Sequence, residues 1–241
     1  MGAAPGVLAK TTFGKPLSCV TPMEGHRIWA ATYDAGPNPL LALETRLLLE
    51  RLSPLPASRF LDVACGTGRW MLLAQQRGCQ VFGVDFCPEM LMEASRKPGL
   101  DGRLGLADAR RIPLADGAAD LTVCSFALGY LPSPHQAIAE MARVSRKGGR
   151  VVVTDLHPGA LAAGWTRSFR SDGQTYEIDH HLHPIATWVA SAQSAALALD
   201  WVLEAPFAEP EREIFRQAGK DALFPELSRI PALLAMSWTK P

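Results

Sequence analysis

The sequence predicts a doubly wound α/β fold, a mostly parallel seven-stranded sheet with helices on both faces and a β-hairpin inserted after the fifth strand. Three observations carry this. Short apolar runs alternate with helix-period segments between residues 59 and 155; a Gly-rich turn, Cys65-Gly66-Thr67-Gly68, joins the first run to the first helix; and a turn-forming tetrapeptide, Ser171-Asp172-Gly173-Gln174, interrupts the alternation. Strands alternating with helices are joined by right-handed crossovers, which place the strands in parallel and cover the sheet on both faces.

The elements follow in order. Residues 1–24 carry Gly, Pro, Thr and Lys without periodicity and are expected to form a flexible arm, with order starting near Glu24 and 25–241 forming a single domain. Within 25–56, an N-terminal lid and helix, Leu40, Leu41, Leu43, Leu47, Leu48 and Leu52 recur at helical spacing from Pro39, and Pro54 and Pro56 end the pattern. In the core, 57–155, strand 59–64 leads through the glycine turn into helix 69–77, which stops at Gly78. Strand 80–85 precedes helix 88–96, with Pro88 suited to a first helical position. Strands 102–106, 120–126 and 149–155 and helix 134–144 continue the alternation. The insertion 156–184 holds the hairpin, expected to act as a lid. A helix over 184–195, a strand over 197–205, a polar helix over 209–218 and a strand over 232–239 complete the chain.

Composition bounds the function. Hydrophobic residues at 48% and 24 basic against 24 acidic side chains describe a globular protein without the basic excess that grips nucleic acid or anionic membrane. Cys19, Cys65, Cys79, Cys87 and Cys124 are odd in number and contain no CxxC pair, so neither a disulfide framework nor a zinc site is expected. Gly6 stands where a myristoylation signal needs Ser or Thr, and no apolar run is long enough for a signal peptide or a membrane span. The expectation is a soluble cytoplasmic protein, monomer or homodimer, with no nucleic-acid or membrane partner.

Glycines between a strand and a helix let a ligand approach the backbone where the helix N-terminus offers free N–H groups, which marks a nucleotide-like cofactor site. The dinucleotide fingerprint is met only in part, because Met71 takes its third glycine position. Asp85 ends the second strand about 20 residues on, where a carboxylate accepts from a ribose diol; the alternative role is to cap the following helix.

The stretches LDVACGTG (61–68), VFGVDFCPEML (81–91), ADARRIPLADGAADLTVCSFALGYLP (107–132) and KGGRVVVTDLHP (147–158) resemble, in order and spacing, the class I S-adenosylmethionine (SAM)-dependent methyltransferases. The likeness is to the small-molecule subgroup that includes the ubiquinone and menaquinone C-methyltransferases, whose fold is Rossmann-like, and it is good over residues 29–155. Ala64 departs from it, since the family more often has Gly there. The resemblance implies that SAM is the cofactor. Asp62 and the backbone of Ala64, Gly66 and Gly68 would hold its methionine end, and Asp85 its ribose. Phe86, with Met90 close by, would pack on the adenine, Asp108 and the Ala109 N–H would bond the base, and Ser125 and Phe126 would line the sulfonium. Tyr33, in WAATYD (29–34), would close over the cofactor. The Asn/Asp-Pro-Pro-Tyr motif of amino-group methylation is absent from 125–130, which argues against a nucleic-acid base as acceptor.

The implied activity is methyl transfer to a small molecule by O-, N- or C-methylation, with an aromatic or polyketide-like metabolite of secondary metabolism the favoured acceptor. Trp29, Tyr33, Trp165, Phe169, Tyr176 and Trp188 fall in the segments that could roof the site. Candidates for a base are His157, just past the fifth strand, then His183 and Tyr33, with Tyr130, His26, His180 and His181 also near. The cluster His180-His181-Leu182-His183 invites a metal reading, but no carboxylate or cysteine set accompanies it, and no metal is expected. The alternative function is a non-catalytic SAM-binding regulatory protein.

Overall fold

The computed structural model describes residues 18–52 and 56–241; the first 17 residues of the arm expected over 1–24 and the helix stop at Pro54 lie outside them. The chain runs through β1 (Ser18–Val20), α1 (Pro22–Trp29), α2 (Pro39–Leu52), β2 (Arg59–Val63), α3 (Arg69–Gln75), β3 (Gln80–Asp85), α4 (Pro88–Ser95), β4 (Leu104–Leu106), β5 (Ala119–Ser125), α5 (His135–Val144) and β6 (Ser145–Leu156). It continues through α6 (Pro158–Ala162), β7 (Ser168–Ser171), β8 (Gln174–Ile178), α7 (Ile185–Ser194), β9 (Ala198–Ala205), α8 (Glu209–Gln217), α9 (Phe224–Leu227) and β10 (Leu233–Thr239).

The large sheet has strand order β4-β3-β2-β5-β6-β10-β9, with β10 alone reversed against both neighbours. The order turns back on itself between β2 and β5, so a crevice opens at the carboxyl ends of these strands, where open α/β sheets bind ligands. Both faces are packed. On one side Leu43, Leu48, Trp70 and Phe215 of α2, α3 and α8 meet Val123 and Val152; on the other Ile138, Met141 and Trp188 of α5 and α7 meet Val151, Val153 and Met236. Val151, Val152 and Val153 thus serve opposite faces in turn, as the two-residue period of a strand requires.

Order begins earlier than the sequence suggests. Thr21 caps α1, its hydroxyl accepting from the Glu24 N–H, and β1 pairs in parallel with β8. A strand of three residues has no local signal; it forms because the inserted hairpin offers it an edge. In that hairpin β7 and β8 are antiparallel around Asp172 (φ 49°) and Gly173 (φ 77°), the two left-handed positions of a tight primed turn. The small sheet β1-β8-β7 packs on α1 through Val20, Phe169 and Ile178, and Trp29 stacks on Phe169 with ring centroids 4.8 Å apart. Gly25 makes this approach possible, because a Cβ there would fall 2.7 Å from Ile178 Cγ1. Among the described residues no helix is long and apolar enough to cross a membrane.

Candidate active site

A cavity of about 360 Å³ opens at the carboxyl ends of β2 to β6. Its floor is made by Ala64, Gly66, Asp85, Phe86, Asp108 and Ser125, and its roof by α1, Tyr33 and the stretch Thr166–Ser168 that leads into β7. Tyr33, Met90, Ala109 and Phe126, also expected at the site, line it as well.

The glycine turn is held open from below. Asp85 Oδ2 accepts from Gly66 N–H at 2.8 Å and Oδ1 from Cys87 N–H at 2.8 Å, so one carboxylate ties the turn to the start of α4 and keeps lone pairs to spare. Burial raises the Asp85 carboxyl above its usual range, and the two N–H groups oppose this. Gly66 has φ 53°, and a Cβ built on it meets nothing within 4 Å, so the turn presents bare backbone to open space. Ala64 adopts φ 57° beside it, a left-handed conformation that is strained for any residue with a Cβ. Phe126, at the end of β5, has φ 52° and is strained likewise.

Two residues expected to touch the cofactor do not line the cavity. Gly68, with φ 84°, lies behind the turn, where a Cβ would come 2.6 Å from Leu100. Asp62 is 2% exposed beneath the turn, bonded to the Met71 backbone, and burial pushes it up to about 8 despite the nearby Arg69 guanidinium. Asp108 does line the cavity, but Arg110 grips both its oxygens, with Nη2 to Oδ2 at 2.6 Å, and holds its carboxyl below the usual range.

Sequence reasoning missed Glu44. It is fully buried in α2 and accepts from Arg69, from Trp70 Nε1 at 3.2 Å, from Ser125 Oγ at 2.8 Å and from Thr154 Oγ1. The signal was present, since Leu40, Glu44, Leu48 and Leu52 form one buried stripe at four-residue spacing and a carboxylate in a leucine stripe needs partners. Glu44, Asp62 and Asp85 interact electrostatically across this region, and Arg69 is the cation set among them. Burial holds Asp62 and Asp85 toward the protonated form, and a ligand that brings positive charge to the turn would favour their ionisation.

The expected histidine bases lie elsewhere. His157 caps α6, its Nδ1 accepting from Gly159 N–H at 2.9 Å, while Nε2–H donates to Glu204 at 2.7 Å. Pro158 at the first helical position makes that cap the structural role of the histidine. His183 donates from Nε2 to the Leu131 carbonyl at 2.8 Å and packs its ring on the edge of Trp188, anchoring α7. Neither lines the cavity. Trp165, Phe169, Tyr176 and Trp188 are likewise absent from its lining; of the expected roof, Trp29 and Tyr33 reach it. Burial pushes the Tyr33 phenol well up, so it is a neutral wall. No group of three or more His, Cys, Asp or Glu side chains among the described residues could hold a metal ion.

What lines the cavity in their place is His26, Tyr130 and Arg167. The Arg167 guanidinium lies 4.6 Å over the Tyr130 ring, donates from Nη1 to the Phe126 carbonyl at 3.0 Å and pairs with buried Asp155. Asp155 in turn accepts from Gly129 N–H at 2.6 Å. A Cβ at Gly129 would stand 2.6 Å from Arg167 Nη2, so a larger residue there would displace the guanidinium.

Residues 61–153 match a family of methyltransferase domains. Over 115 residues the chain is 37% identical to a demethylmenaquinone methyltransferase of Renibacterium salmoninarum, covering 47% of this chain and 48% of that one. Over 136 residues it is 33% identical to a malonyl-[acyl-carrier protein] O-methyltransferase of Serratia marcescens, covering 55% and 51%. The chain therefore spans about half the length of these curated relatives. Its fold is that of a solved S-adenosylmethionine-dependent methyltransferase from Mesorhizobium loti, with a TM-score of 0.63 at 21% identity over 83% of this chain and 99% of that one.

Proposed function

We propose that this chain, whose residues 61–153 match a family of methyltransferase domains, is an enzyme that transfers the methyl group of SAM to a small apolar metabolite, aromatic or polyketide-like, held in the 360 Å³ cavity. The observation that carries this reading is the make-up of the cavity. Its glycine-turn end is bare backbone backed by buried carboxylates, and its other end is aromatic and apolar around Tyr130 and Leu156.

The residues present fit SAM. SAM carries an ammonium and a sulfonium against one carboxylate, a net positive charge that favours ionisation of the buried Asp62 and Asp85, whereas a pyrophosphate would oppose it. In this reading Asp85 takes the ribose hydroxyls with its spare lone pairs, and Gly66 and Ala64 give backbone room to the methionine part. Phe86 and Met90 pack on the adenine, with the Ala109 N–H and the still-available lone pairs of Asp108 for its edge. Asp62 and Gly68 act one layer back, by holding the turn. Bound there, SAM supplies an electrophilic methyl group on a cationic sulfur.

Methyl displacement disperses charge, so positioning and the exclusion of water carry most of the catalysis. The chain provides both. Tyr33, Trp29 and His26 line the cavity, and the stack of Trp29, Phe169 and Tyr176 ties α1 to the inserted hairpin. Incubation with methyl-labelled SAM and a panel of phenols, enols, amines and carboxylates tests the reading by mass spectrometry. A labelled product with equimolar S-adenosylhomocysteine is expected for an apolar acceptor; release of S-adenosylhomocysteine with none of them would refute it.

A further inference from the structure

The cavity contains a histidine whose tautomer is fixed by its surroundings. His26 Nδ1 lies 2.7 Å from the Pro22 carbonyl one turn earlier in α1. A carbonyl only accepts, so Nδ1 carries the proton, and in the neutral ring Nε2 is left with its lone pair. That nitrogen has no hydrogen-bond partner among the described residues. The ring is held edge-on between Tyr130, at 4.9 Å, and Phe86, at 6.1 Å. Burial lowers the His26 imidazolium below its ordinary value, which keeps the ring neutral near pH 7. The charged and titratable groups facing it are Asp85 from the end of β3, Arg167 ahead of β7 and Tyr130 after β5.

Arg167 lines the same cavity, with its guanidinium 4.6 Å over the Tyr130 ring. Its charge is matched by Asp155, as that of Arg110, the other arginine of the lining, is matched by Asp108. Neither is free to neutralise a carboxylate or a diphosphate, so the lining suits an acceptor that arrives uncharged. Yet Arg167 Nε and Thr166 Oγ1 are buried without partners, and both residues line the cavity. Buried donors left unmade are costly and call for an oxygen to accept from them.

We propose that His26 is the catalytic base of this site and that the acceptor is a neutral apolar molecule with an ionisable hydroxyl, a phenol or an enol, whose oxygen sits between His26 and the Arg167 guanidinium. This rests on the methyltransferase reading and names its substrate class. The O–H bond of the acceptor breaks and its proton moves to Nε2. The electron pair left on the acceptor forms the new bond to the methyl carbon, at oxygen or at the conjugated carbon. The C–S pair stays on sulfur, which becomes a neutral thioether, and the proton on His26 then leaves to water. Arg167 and Thr166 stabilise the oxyanion as it develops.

The test needs no turnover. 4-Nitrophenol is titrated into the full chain and its phenolate band read one pH unit below its solution midpoint, with nitrobenzene as the uncharged control. Bound to the wild-type protein, the probe is expected to be ionised at least threefold more than free probe, about 9% of which is phenolate at that pH. His26→Asn keeps a donor near the Pro22 carbonyl but has no base, and should abolish that gain while nitrobenzene affinity stays within twofold. The same phenolate gain in His26→Asn, or none in the wild type, overturns the assignment. Nitrogen-15 spectra of wild-type His26 require no variant: Nε2 should be unprotonated before the probe is added and protonated after it, and an Nε2 protonated from the start overturns the proposal. A calorimetric titration with S-adenosylhomocysteine keeps two failures apart. If it binds and the phenolate gain is missing, the base assignment falls alone; if it does not bind, the methyltransferase reading falls with it.

Discussion

Replacing Glu44 with Ala should cost the fold more than any other single change near the cavity. Glu44 is completely buried and serves four donors on α3, β5 and β6, so its removal leaves the Arg69 guanidinium, the Trp70 indole N–H and the hydroxyls of Ser125 and Thr154 without their acceptor. Breaking a buried ion pair costs about 3–5 kcal/mol. Here the lower end applies, because the Arg69 side chain is 25% exposed and still bonds Thr45 Oγ1 at 2.7 Å, and hydroxyls can turn to new partners. A loss of about 3 kcal/mol corresponds to a fall in Tm of about 6–12 °C for a chain of this size. Urea denaturation of Glu44→Ala, Arg69→Ala and the double variant reads both the loss and the coupling. The single Glu44 variant should lose about 3 kcal/mol, and the pair should be non-additive by more than about 1 kcal/mol. A loss below about 1 kcal/mol, or strict additivity, would show that Glu44 is not the hub its contacts describe.

Three further outcomes follow from the site. Asp85→Asn leaves one of the Gly66 and Cys87 N–H groups facing an amide nitrogen and removes charge; SAM affinity should fall by about 1.5–3 kcal/mol, roughly 10- to 150-fold by calorimetry, and unchanged affinity would sink the ribose assignment. Ala64→Gly relieves a left-handed conformation that costs about 1–2 kcal/mol, against about 0.5–1 kcal/mol of extra chain entropy for glycine, so Tm should rise by up to about 6 °C; a fall would contradict the strain at φ 57°. Asp62 is raised from 3.8 to about 8 by burial, so the folded chain keeps a proton that the unfolded chain has released. Stability from that group is complete below pH 3.8 and lost as pH rises through about 8, and Asp62→Asn should flatten this loss in urea titrations at pH 5 and pH 8.

How far the sequence could be read depended on whether a feature is local. The glycine turn, Asp85 at a strand end and the alternation of β2 to β6 with their helices are set by neighbours in the chain, and the structure has them at the expected positions. The small sheet was legible only in part. The turn residues Asp172 and Gly173 announce a hairpin, but β1 is a strand only because β8 lies beside it. The histidines show the limit most plainly. His157 follows a strand end and precedes a proline, a pattern equally suited to a catalytic loop and to a helix cap, and Gly159 and Glu204 decide for the cap. His26 was one name among several in the approach to the site until the Pro22 carbonyl fixed its tautomer. Arg167 carried no signal, since its partners Asp155, Phe126 and Tyr130 come from other segments and a buried arginine belongs to no periodic pattern.

The central claim is that the glycine turn, backed by Glu44, Asp62 and Asp85 and lacking the third glycine at Met71, takes a sulfonium cofactor rather than a dinucleotide. Calorimetric titration of the wild-type chain with SAM and, separately, with NAD(H) tests it most directly. SAM should bind at one site per chain and NAD(H) should give no measurable heat; NAD(H) binding as tightly as SAM, or SAM failing to bind, would contradict it.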